Sequence, residues 1–96
     1  MTIMFQGVID QESAVPVAAT AIQDVLFERG MYWASGRSGV VNLVAAHKWF
    51  NLAAVAGSEI AKDCRRDIAE DMTAREIATA QAAARAFLVS TQRRAA

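Results

Sequence analysis

Hydrophobic and polar positions along the chain change phase at three punctuation points, and each segment between them has the period of a helix. From Pro16 onward Ala18, Ala21, Ile22, Val25, Leu26 and Trp33 recur at three- and four-residue spacing. That spacing predicts an amphipathic helix about 20 residues long, with the proline in its first turn, where a missing N–H costs nothing. Ser35-Gly36-Arg37-Ser38-Gly39 ends it, because two glycines and two serines within five residues mark a turn. Residues 1–15 carry no clear period and read as an N-terminal arm, flexible or docking, with the apolar residues Ile3, Met4 and Phe5 as its candidate contacts.

Asn42 is a suitable N-cap for the second helix, in which Leu43, Ala46, His47, Phe50, Ala53 and Ala54 fall on one stripe. Gly57 fits the position just past its end, and Ser58 can cap the next helix at once. The third helix is expected to bury Ile60, Ala61, Cys64, Ile68 and Met72, leaving Lys62, Asp63, Arg66, Asp67 and Glu70 to solvent. Thr73-Ala74-Arg75-Glu76 has the form of a capping box and starts a fourth helix. Its inner stripe reads Ile77, Ala80, Gln81, Ala84, Phe87 and Leu88, and Arg93 and Arg94 suit the negative pole at its end. Short connections make neighbouring helices antiparallel. The expectation is an all-α domain over 16–92, about two antiparallel helix pairs, with 93–96 as a short basic tail.

Composition agrees with this. The chain has 96 residues, enough for one small core, and 21 of its apolar residues are alanines, which favour helix and close helix approach. Ten Lys and Arg balance ten Asp and Glu, so net charge gives no argument for nucleic acid or an anionic membrane. No apolar run approaches the ~18 residues of a membrane span. The N-terminus lacks the basic and apolar regions of a secretory signal. The lone Cys64 suits a reducing compartment, and a cytoplasmic protein is the default.

Two stretches carry a family resemblance. Phe27-Glu28-Arg29-Gly30-Met31-Tyr32-Trp33-Ala34-Ser35-Gly36-Arg37, then Val44-Ala45-Ala46-His47-Lys48-Trp49-Phe50-Asn51-Leu52-Ala53-Ala54 and Gly57, resemble the Sel-one-like repeat family, α/α relatives of the tetratricopeptide repeats. The matching positions are Gly30, Gly36, Ala46, Trp49, Phe50, Ala53, Ala54 and Gly57. Trp33 stands where the family has tyrosine, Arg29 where it has leucine, and Asn42 replaces the usual loop aspartate. The second half, about 58 to 90, looks like the C-terminal part of short bacterial members. The resemblance implies a fragment of right-handed α-α superhelix that binds other proteins. Independently of the name, Gly30 lets two helices approach where a Cβ would intrude, and Ala46, Ala53 and Ala54 do the same from the other side.

Candidate chemistry is sparse. His47 is the one residue with an ordinary pKa near neutrality, but it lacks the second His or Cys pair that a metal site needs, and no nucleophile is paired with a base. No metal or cofactor is expected. Cys64, followed by Arg65 and Arg66, would have a lowered pKa if exposed, which defines a redox alternative. Asp63, Asp67, Glu70 and Asp71 alternate with Lys62, Arg65 and Arg66 as a solvated face does. A DNA-binding helix-turn-helix is a further alternative, although the second helix offers mainly Lys48 and Asn51 to a groove, with Arg75, Arg85, Arg93 and Arg94 for phosphates. Two helix pairs leave apolar surface at the ends of the fold. The expected function is therefore a non-catalytic protein–protein interaction module whose partner is another protein or itself. Its expected contact residues are Ile3, Met4, Phe5, Arg29, Phe87 and Leu88.

Overall fold

The computed structural model describes the backbone of residues 17–95 and the side chains of residues 20–93. The arm with Ile3, Met4 and Phe5 lies outside the described residues. Within them the fold is all-α, with four helices: α1 (Val17–Ser35), α2 (Leu43–Val55), α3 (Glu59–Ala69) and α4 (Ala74–Ala95).

The helix ends follow from local chemistry. Asn42 Oδ1 accepts from the Ala45 N–H at 2.9 Å and starts α2. Gly57 takes a φ of 112°, which favours glycine, and lets its own N–H reach the Ala54 carbonyl and that of Ser58 reach the Ala53 carbonyl. Ser58 then caps α3 by accepting from the Ala61 N–H. The capping box at α4 is reciprocal: the Thr73 N–H donates to Glu76 Oε1 at 2.8 Å, and the Glu76 N–H donates to Thr73 Oγ1 at 3.1 Å.

α2 is the hub, since α1, α3 and α4 all pack on it. The α1–α2 pair is an antiparallel hairpin. Gln23 Nε2 donates to the Ala56 carbonyl at the far end of α2, Gly30 lies against Phe50 midway, and the Asn42 N–H donates to the Trp33 carbonyl at the turn. A Cβ on Gly30 would sit 2.5 Å from Phe50 Cε1, so the absence of a side chain sets the helix separation. Among the described residues Phe50 is the largest fully buried side chain, surrounded by Ala46, Ala53 and Ala61 and flanked by Leu26, Phe27, Met31, Trp33 and Ala34 of α1. Its burial is worth about 3 kcal/mol.

The second expected hairpin takes a different form. α3 and α4 each pack more on α2 than on each other. Ala80 and Ala84 of α4 are buried, and Trp49 meets Phe87 while Leu43 and Val44 share a cleft with Glu76, so α4 runs parallel to α2.

Several expected core positions face outward. Ile22 and Val25 are about half exposed, because α1 turns Gln23, Leu26, Phe27 and Gly30 toward α2, the stripe that glycine dictates. Ile60 is exposed because Ala61, one position on, occupies the close contact with α2. Gln81 is exposed beside the buried line of Ala80 and Ala84. Leu88 is 36 % exposed, where α4 begins to outrun the 13-residue α2.

Candidate interaction surface

α1 is apolar on two sides, and α2 covers one of them. The outward side presents Ile22, Val25 and Tyr32, with exposures of 54, 51 and 40 %. Two adjoining depressions follow this side. One of about 450 Å³ is lined by Asp24, Val25, Glu28, Arg29, Tyr32 and Arg37, and one of about 230 Å³ by Ala21, Ile22, Val25, Leu26 and Arg29. Val25 and Arg29 belong to both, so the two form one groove.

The charges on the groove are unevenly matched. Glu28 pairs with Arg37 at 3.8 Å, and the Arg37 guanidinium lies 5.9 Å from the Tyr32 ring centroid. Asp24 and Arg29 line the same groove without an ion-pair partner among the described residues. Arg29 instead lays its guanidinium over the Trp49 ring, 4.8 Å from the centroid. Lys48 Nζ approaches the same ring at 4.4 Å and the Phe87 ring at 5.6 Å, and Phe87 meets Trp49 edge-on at 5.3 Å. Two cations and two aromatic rings thus link α1, α2 and α4. Arg29, which lines both depressions, thus spreads its guanidinium over the Trp49 ring.

The remaining residues of the repeat pattern have structural positions. Ala46, Phe50 and Ala53 are buried, Gly30 is in the helix contact, and Trp33 and Ala54 flank the core. Gly36 has a φ of 81° in the turn after α1. Of the six expected contact residues, Arg29 lies in the groove, whereas Phe87 and Leu88 sit beyond Trp49 on α4. Ile3, Met4 and Phe5 are outside the described residues.

His47 is 3 % exposed, and its Nδ1 has no hydrogen-bond partner. Burial, and secondarily the Arg65 charge, push its pKa below the usual histidine range, which keeps the ring neutral. Arg65 itself donates to Asn51 Oδ1 at 2.7 Å. Among the described residues no three His, Cys, Asp or Glu side chains gather as a metal site would require. Cys64 is half-buried against the core, as its place on the inner stripe predicts, and its thiol pKa is raised, by burial first and then by Asp67 and Asp63. Arg66 is held by Asp63 at 3.2 Å and Arg65 by Asn51, so neither cation activates the sulfur.

Ile22, Val25 and Tyr32 were hidden from sequence reasoning because α1 offers two apolar stripes, and periodicity alone does not rank them. Gly30 does rank them, since a glycine in mid-helix marks the face of closest approach. Among the described residues no helix is long and apolar enough to cross a membrane. No protein-family model matches the chain, and no curated protein or solved structure matches it. The likeness to Sel-one-like repeats therefore rests on the residues quoted above.

Proposed function

We propose that this chain is a non-catalytic protein–protein interaction module, a small adaptor or scaffold unit of the Sel-one-like α/α type acting in a reducing, cytoplasmic setting. The observation that carries this reading is the outward face of α1, an apolar stripe with a groove along it on a helix whose other side already forms the core. Burying Ile22, Val25 and Tyr32 against a partner removes apolar surface from water. Such a contact centres on aromatic and aliphatic anchors, with charges at its rim. The groove suits a helix with apolar side chains at three- and four-residue spacing, laid along α1. The raised thiol pKa of Cys64 and the isolated, neutral His47 favour this reading over a redox or acid–base role.

The test is co-purification from the native cell with three tagged forms: wild type, Val25→Asp and Val55→Asp. Val55 is also exposed, at 64 %, but lies at the end of α2 and lines neither depression. A partner bound by wild type and Val55→Asp but lost with Val25→Asp, and then bound in purified form with the same pattern, supports the reading. Equal recovery with all three forms refutes it.

A further inference from the structure

We propose that the seam of α1, α2 and α4 around Trp49 binds an acidic amphipathic helix of a partner protein, with one glutamate or aspartate side chain seated between Arg29 and Lys48. This rests on the reading of the chain as an interaction module, and it names the chemistry of what is bound.

Charge carries the argument. The net charge of zero hides a segregation: α2 and residues 77–95 of α4 together hold Lys48, Arg85, Arg93 and Arg94 and no Asp or Glu. The carboxylates collect instead on α3 and the turn after it, as Glu59, Asp63, Asp67, Glu70 and Asp71. Arg29 shares α1 with Asp24 and Glu28, but these point about 140° and 100° away from it around the helix, on the other flank. Neither Arg29 nor Lys48 has an ion-pair partner among the described residues.

The two cations nonetheless stand over one indole ring, Arg29 at 4.8 Å and Lys48 at 4.4 Å from the Trp49 centroid, although they repel each other. The ring attracts each of them and neutralises neither. A carboxylate entering beside Trp49 would meet both donors at once and replace the repulsion with two charge-assisted hydrogen bonds. The fold holds the donors ready. α1 and α4 pack on α2 and little on each other, so half-buried Trp49 and Lys48 lie between Arg29 of one helix and Phe87 of the other.

The helical form of the occupant follows from α1. Ile22, Leu26 and Arg29 recur at four- and three-residue spacing on one flank, with Leu26 and Ile22 about 5 and 10 Å along the axis from Arg29. A helix laid beside them sets its carboxylate at Arg29 and its aliphatic side chains at Leu26 and Ile22. Nucleic acid fits less well. The Trp49 ring is covered by cations and met by Phe87, which leaves it closed to base stacking, and Asp24 and Glu28 border the same groove.

The probe is a capped synthetic helix with leucines at three- and four-residue spacing and two glutamates one turn apart, compared with versions carrying glutamine or lysine in their place. Binding is read from the Trp49 indole N–H resonance of isotope-labelled protein, identified with Trp49→Phe. The glutamate peptide is expected to shift it and to bind about fivefold or more tightly than the glutamine peptide, an advantage that shrinks as salt rises. In the double variant Arg29→Glu, Lys48→Glu the preference should invert toward the lysine peptide, which also shows that the variant is folded. Lys62→Glu, on α3, should bind as wild type does. Equal binding of the glutamate and glutamine peptides, or no shift with either, overturns the carboxylate site, whereas the interaction-module reading falls only to the co-purification test above. A single-stranded oligonucleotide that shifts Trp49 at lower concentration than the glutamate peptide also overturns it.

Discussion

Replacing Gly30 with alanine opposes two effects whose sizes the structure decides. A glycine in mid-helix costs about 1 kcal/mol relative to alanine, so on helix propensity alone the change stabilises. The added Cβ, however, would lie 2.5 Å from Phe50 Cε1 and 3.0 Å from Phe50 Cγ. The ring cannot swing clear: it is 1 % exposed and stands against Phe27, with ring centroids 5.7 Å apart. Overpacking of this kind costs about 1–3 kcal/mol, and contacts this short place it near the upper end. The net expectation is a loss of about 1–2 kcal/mol once the propensity gain is subtracted. For a domain of this size that lowers Tm by roughly 5–15 °C. The companion background is Phe50→Leu, where the smaller side chain vacates the ring edge. There Gly30→Ala should be neutral or stabilising, a coupling of about 2 kcal/mol between the two positions. Urea denaturation followed by circular dichroism measures all four forms. A Gly30→Ala protein as stable as wild type, or the same loss in both backgrounds, would refute the claim that Gly30 sets the α1–α2 separation.

Other consequences are simpler. His47 has a folded pKa below its ordinary value of about 6.5, so below that pH the unfolded chain takes up a proton that the folded chain refuses. Stability should therefore fall as pH drops from about 7.5 to 5.5, and His47→Gln should flatten the trend. Urea midpoints that rise on acidification would contradict it. Thr73→Ala removes the hydroxyl from the α4 capping box and should cost about 1 kcal/mol, seen as a lower urea midpoint. The raised pKa of Cys64 should make native alkylation at neutral pH slower than in the urea-unfolded chain. Labelling as fast as an activated thiol would restore a redox role.

Much of the fold was legible because its signals are local. Asn42, Gly57, Ser58 and the Thr73–Glu76 box each act within a few residues, and all perform the expected hydrogen bonding. Phe50 and its alanines were legible for a related reason, since a small-residue stripe around one large ring has few ways to pack. What depended on distant partners was less so. Ile22 and Val25 have the spacing of an inner face, and only Gly30 across from Phe50 shows that the helix is turned the other way. Ile60 lost its expected burial to Ala61 because the closeness of α3 to α2 favours the smaller side chain. The parallel lie of α4 on α2, with Phe87 brought to Trp49, arises from long-range packing that no short window contains. The groove was half visible: Arg29 stood out as a departure from the repeat pattern, but its apolar neighbours were assigned to the core.

The account turns on whether the apolar face of α1 binds another protein, and recovery of partners from the native cell with tagged wild type, Val25→Asp and Val55→Asp tests this most directly. A partner recovered with wild type and Val55→Asp and lost with Val25→Asp at unchanged helix content, then bound in purified form with the same pattern, is the result expected. Equal recovery with all three forms would contradict it.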